Sequence, residues 1–267
     1  MQLLPFPFDL ASLTVLLLLS LRLGAALLMT PVFAAADLPV TVRVLLVVGL
    51  SVSLSAGLQP GAAVAPSVLD RPGALLQAAF TEVALGATMA VAIHIAFAAF
   101  VTAGRLLDIQ IGFGLSQVFD PASNTAVPVL SSAFGRVATV VFFLANGHHA
   151  LLRAFAFGFE RLPPGGAWSI DAAMLPILKQ VGGLFGLSLS LAAPVVFCLL
   201  MTELALGVLA RNLPQMNMLT MGIPVKIVVG LVALSLWVGG MGGLMDRVYR
   251  GIHVAWDGLL SGQPGGR

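Results

Sequence analysis

The chain has 267 residues, of which 59% are hydrophobic and only 9% charged, with a mean hydropathy of +1.04. A water-soluble domain needs a charged skin of about a quarter of its residues, so that class is excluded and the surface must face lipid or other apolar protein. The 13 basic and 11 acidic side chains give a net charge of +2 with no basic cluster, which excludes a surface that tracks nucleic-acid phosphates.

Six apolar runs follow in order: 10–36, 42–58, 74–101, 127–157, 172–210 and 218–245. Each is long enough for a spanning helix, which needs about 20 mostly apolar residues to cross hydrocarbon. They are continuous rather than alternating, which argues for helices over a membrane barrel. The fold class expected is therefore an all-α integral membrane protein of about six long hydrophobic helices arranged as hairpins. The first run follows an uncharged start and carries Arg22, so it reads as a retained helix rather than a cleaved signal peptide.

Asp37 and Pro39 suit the start of the second helix, and Asp70-Arg71-Pro72 the opening of the third. Residues 102–126 form the next connection. It mixes glycines with Ile109, Ile111, Phe113, Leu115 and Phe119, side chains that an ordinary surface loop does not carry. Irregular backbone at membrane depth is tolerated only inside protein or beside a water-filled cavity, so this loop is expected to be buried or re-entrant. Trp168, in a Pro/Gly-rich connection, suits an interfacial anchor. Pro176 and Pro194 are expected breakpoints in the fifth run, and Pro214 and Pro224 are expected to bracket a broken helix. Residues 246–267 read as a short amphipathic segment fading into a flexible C-terminal tail.

Catalysis needs converging acids, bases or metal ligands, and none converge here. His148 and His149 are adjacent, so they point to different faces of a helix. No catalytic, cofactor-binding or metal site is expected, and no cofactor. Arg22, Glu82, Arg136, Arg153, Lys179 and Glu203 lie in or near the apolar runs. Such groups pair between helices, snorkel, or line an aqueous path. Cys198, the sole cysteine, has no partner for an internal disulfide.

One stretch is specific. Ala210-Arg211-Asn212-Leu213-Pro214-Gln215-Met216-Asn217, then Gly222-Ile223-Pro224-Val225-Lys226, resembles the signature of the FliR family, the FliR/SctT superfamily of type III export gates. Asn146-Gly147-His148-His149 with Arg153, and Arg22 with Pro31-Val32-Phe33, Pro39 and Arg43, extend the likeness over essentially the whole chain. The resemblance implies a single membrane domain over 1–267, part of it similar to FliP and its C-terminal hairpin similar to FliQ. It implies a multi-pass protein of the bacterial inner membrane and flagellar basal body, surrounded by lipid. It also implies FliP-like, FliQ-like, FlhB-like and FlhA-like partners, and unfolded flagellar proteins as cargo, but no nucleic acid.

Carried onto this sequence, the resemblance makes Ile111, Gly112, Phe113, Gly114, Leu115 and Phe119 a pore plug. It makes Arg211, Pro214, Gln215, Asn217, Pro224 and Lys226 an inter-subunit hairpin motif. Capping and closure of the hairpin within this chain is the alternative for the polar members. An injectisome homologue and a secondary transporter are the alternative functions.

Overall fold

The computed structural model describes residues 10–31, 39–57, 71–113, 128–212 and 218–261. Eight helices run through them: α1 (Leu10–Leu28), α2 (Val40–Gly57), α3 (Pro72–Ile111), α4 (Val129–Leu144), α5 (Gly147–Arg161), α6 (Ile170–Asn212), α7 (Met218–Val238) and α8 (Gly242–Leu260). No strand occurs among the described residues, so the protein is all-α. Five helices are long and apolar enough to cross a membrane, or six when the bent pair α4 and α5 counts as one broken span.

Several boundaries differ from those read in the sequence. Helix α3 runs ten residues past Val101, to Ile111, through the first part of the expected loop. Leu107, Asp108 and Ile111 are buried there, so packing extends the helix despite its polar residues. The fourth run is two helices, split at Ala145-Asn146, with Asn146 in the left-handed region at φ 55. The fifth is unbroken: α6 continues through Pro176 and Pro194. A proline removes one hydrogen bond of many in so long an apolar helix, and the flanking turns carry it. Pro224 likewise lies inside α7 rather than ending it.

The C-terminal segment is amphipathic as expected, and it is helical through residue 260, as α8; residues 262–267 lie outside the described residues. Met245, Val248, Tyr249, Ile252, Trp256 and Leu259 are buried, at the three- and four-residue spacing of one helical face. That face docks the segment despite its arginines.

The chain groups into two compact units. The first comprises the stretches Met1–His94, Phe143–Gln180 and Ile252–Arg267. Its core joins Leu18, Leu19 and Leu23 of α1, Leu85, Met89 and Ile93 of α3, Phe155 and Phe159 of α5, and Trp256 of α8. The Trp256 indole packs 4.8 Å from the Phe155 ring and donates to the Met89 carbonyl at 3.1 Å, so its polar edge is satisfied as burial requires. Trp168 donates to the Leu259 carbonyl at 3.3 Å.

The second unit comprises Ile95–Phe142 and Val181–Gly251. At its centre the Tyr249 ring lies 5.7 Å from Phe100 and 5.6 Å from Phe142. Its hydroxyl donates to the Ala138 carbonyl at 2.6 Å. Burial holds this phenol well above the ordinary tyrosine value, because the charged form would lose its hydration.

Candidate functional site

The ionisable residues embedded in apolar helices sort into three kinds. Arg22 and Glu82 form a buried pair, with side chains 2% and 3% exposed. The guanidinium donates to both carboxylate oxygens, Nη2 to Oε1 at 2.9 Å. Its Nη1 reaches the Leu162 carbonyl at 3.0 Å, and its Cζ sits 4.6 Å over the Phe159 ring. Glu82 Oε1 also accepts the Gly165 N–H at 2.8 Å. The pair therefore ties α1, α3 and the connection after α5 within the first unit. Every partner a buried charge requires is supplied, which is the structural-pair outcome open to these two residues in the sequence.

Glu203 of α6 and Lys226 of α7 form the second ion pair, half-exposed, across the final hairpin. Arg136, Arg153 and Lys179 are exposed. The His148 and His149 rings meet, with centroids 4.2 Å apart and planes tilted by 43°, rather than pointing to different faces as expected from their adjacency, and no group of three metal-ligating side chains occurs among the described residues.

The residues singled out as plug and hairpin motif meet, in part, at one cavity of the second unit. It measures about 500 Å³ and is lined by Ile109, Gln110, Ile111 and Gly112 from the end of α3, Glu203, Leu206, Gly207 and Ala210 from α6, and Gly222, Ile223 and Lys226 from α7. Its walls are apolar apart from the Glu203–Lys226 pair and Gln110.

Two features fix the end of α3 here. Ile111 is fully buried and sits on Gly230: a methyl there would come within 2.7 Å of the Ile111 side chain and 3.4 Å of Leu199. Gly112 has φ 101, the left-handed geometry that ends a helix and that favours glycine. Its N–H closes the last turn on the Asp108 carbonyl at 3.2 Å. Ile111 is thus packed between α3 and α7, and Gly112 closes the end of α3. Phe113 is half-buried. Gly114, Leu115 and Phe119 lie outside the described residues.

Asp108 was not singled out in the sequence. It is 4% exposed, and its two carboxylate oxygens accept the backbone N–H groups of Leu130 and Ser131, each at 2.9 Å. Those are unpaired donors at the start of α4, and a carboxylate there is favoured by the helix dipole as well. Ser131 Oγ adds a bond to the Val101 carbonyl at 3.1 Å. A methyl on Gly104 would fall 2.6 Å from Ser131 Cα, so α3 and α4 touch backbone to backbone. Asp108 therefore ties together the two stems that flank residues 114–127. The signal was available: a lone carboxylate inside Leu106-Leu107-Asp108-Ile109 must find donors, but its partners are more than 20 residues away.

In the hairpin motif, Lys226 pairs within the chain, which is the closure alternative. Arg211 is exposed at the end of α6. The neighbouring Asn212 amide donates to the Val208 carbonyl at 2.9 Å. Pro214, Gln215 and Asn217 lie outside the described residues.

Known proteins place this arrangement in a family. The chain matches the bacterial export proteins, family 1, over residues 13–252. It is 28% identical over 233 residues to flagellar biosynthetic protein FliR of Bacillus subtilis, a match covering 82% of this chain and 83% of the relative. It is 33% identical over 153 residues to FliR of Escherichia coli, covering 57% and 59%. It is 27% identical over 154 residues to the secretion system apparatus protein SsaT of Salmonella typhimurium, covering 57% and 60%. The latter two matches span less than two thirds of those relatives. With nearly its whole length matched, the chain belongs to the bacterial export proteins, family 1.

Proposed function

We propose that this chain is a non-enzymatic, pore-forming structural subunit of a flagellar type III protein export gate in the bacterial inner membrane. In that role it assembles with FliP-like and FliQ-like subunits and associates with FlhB-like and FlhA-like membrane proteins. Unfolded flagellar subunits pass through the assembly. The FliP-like and FliQ-like parts of the chain belong to this reading, with the α6–α7 hairpin as the FliQ-like part.

One observation carries the reading. Helix α6 has 43 residues, about 65 Å at 1.5 Å per residue, roughly twice the hydrocarbon thickness. Large apolar side chains are exposed along all of it, among them Met174, Leu178, Phe185, Phe197, Leu204 and Val208. Lipid covers at most half of that length, so other protein must cover the rest. Helix α2 presents Val42, Leu45, Val48 and Val52 in the same way. A transporter that works alone has no use for so much apolar surface beyond the bilayer.

Within this proposal the segment from Gly112 through Phe119 closes the pore. Bulky apolar groups stop ions by filling and dewetting a constriction. Ile111, locked on Gly230, holds one end of the segment, and Asp108 holds both stems. Deleting Gly112–Phe119 is expected to make the reconstituted gate conduct ions without loss of assembly. Conductance equal to that of the intact gate, measured in a planar bilayer, would refute the plug assignment. Arg211, Gln215 and Asn217 are proposed to contact neighbouring subunits at the end of the hairpin. The likeness to SsaT favours an injectisome role as the second reading. Restored motility in a non-motile strain lacking its own FliR supports the flagellar role, and restored effector secretion without motility supports the other.

A further inference from the structure

Helices α5 and α8 differ from the rest of the chain. They carry the strongest separation of apolar and polar faces among the described helices, and neither is by itself a candidate span. Helices of that type lie at the membrane–water boundary. Within the first unit they enclose a groove of about 370 Å³. Each contributes positions i, i+3, i+4 and i+7, which lie on one helical face. From α5 these are Ala150, Arg153, Ala154 and Phe157, and from α8 His253, Trp256, Asp257 and Leu260.

The groove has two chemically different parts. Phe157 and Leu260 supply an apolar wall, with the buried Trp256 behind it. The Trp256 N–H is already spent on Met89, so its indole offers the groove only apolar surface. Arg153 and Asp257 supply one charge of each sign from opposite helices, and both are exposed. They form no ion pair with each other, and among the described residues neither has another charged partner. The uncommitted His253 imidazole lies beside them, one helical turn before Asp257. Outside the lining, the Arg161 guanidinium stacks on the Phe157 ring at 4.5 Å. Ala150 and Ala154 add only small side chains to the lining.

From this arrangement we propose that the groove binds a zwitterionic phospholipid with a phosphoethanolamine headgroup. Its phosphate meets Arg153, its ammonium meets Asp257, and the start of an acyl chain lies along Phe157 and Leu260. A purely anionic headgroup would meet the Asp257 carboxylate without a cation to answer it. A quaternary ammonium headgroup has no N–H to donate to that carboxylate. The site is a property of this chain and does not depend on its role in export.

The test uses the full-length chain, delipidated in detergent and titrated with phosphatidylethanolamine, phosphatidylglycerol or phosphatidylcholine, with bound lipid counted by native mass spectrometry. Phosphatidylethanolamine is expected to bind about tenfold more tightly than the other two, the worth of one charge-assisted hydrogen bond. Asp257→Asn should abolish that preference while leaving phosphatidylglycerol binding in place, and Arg153→Gln should weaken both by about tenfold. Both side chains are exposed, and unchanged melting of the variants will confirm that they fold. Soluble phosphoethanolamine, added in excess, is expected to compete only weakly, because the acyl chain contributes; full competition at equal concentration would overturn the acyl part of the site. Equal binding of the three lipids by the native chain overturns the proposal, as does an undiminished preference in the Asp257→Asn variant. Preference for phosphatidylglycerol would instead make the groove an anionic-lipid site and equally overturns it.

Discussion

Replacing Glu82 by leucine is expected to destabilise the protein by about 3–5 kcal/mol, the cost of stranding one member of a buried ion pair. Arg22 would keep the Leu162 carbonyl and the Phe159 face, but its charge would have no counter-ion in a site 2% exposed. The Gly165 N–H would lose its acceptor at the same stroke. The double variant Arg22→Met with Glu82→Leu removes both charges together and should recover most of the loss, because the desolvation cost of both ions disappears with their attraction. Thermal unfolding in detergent reads this directly. A single variant as stable as the parent would show that the pair is hydrated and structurally idle. A double variant no better than Glu82→Leu would show that the two residues act separately.

The second large effect is expected at Asp108. Alanine there removes two hydrogen bonds from a buried carboxylate to the start of α4, each worth about 1.5–3 kcal/mol as a charged bond, though the two are not additive. Asparagine keeps one acceptor and should lie between alanine and the parent. Because Asp108 joins the stems of the proposed plug, Asp108→Ala is also expected to raise ion leak through the assembled gate. Parallel melting and conductance measurements separate the two consequences. Full stability would contradict the capping role, and a destabilised gate that stays tight would contradict the link to closure.

How much of this was written in the sequence depends on the range of the interaction concerned. Composition identified the solvent, and run length identified the helices, because both are local averages. The family motifs identified the class, because they are short and ordered along the chain. Arg22 and Glu82 were visible as costly charges, but not as partners, since 60 residues separate them. Asp108 went unnoticed for the same reason: its meaning lies in the N–H groups of Leu130 and Ser131.

The loop expected from Thr102 gave way to ten more residues of helix, because burial of Leu107 and Ile111 outweighs the glycine and polar content that suggested a break. The expected amphipathic segment is the greater part of α8: the 3.6-residue repeat of Val248, Ile252, Trp256 and Leu259 carries regular helix to Leu260 despite the arginines. Gly230 carries no signal of its own in the sequence, because its role lies in the Ile111 side chain seated on it.

In the proposed role, these apolar helices are covered by sister chains around a passage for exported protein. Extracting the chain from bacterial membranes in mild detergent and weighing the intact particle tests it most directly. A particle holding this chain with several copies of two smaller membrane proteins, FliP-like and FliQ-like, is the predicted result. Recovery of the chain solely as a stable monomer, with α6 and α2 covered by detergent alone, would contradict it.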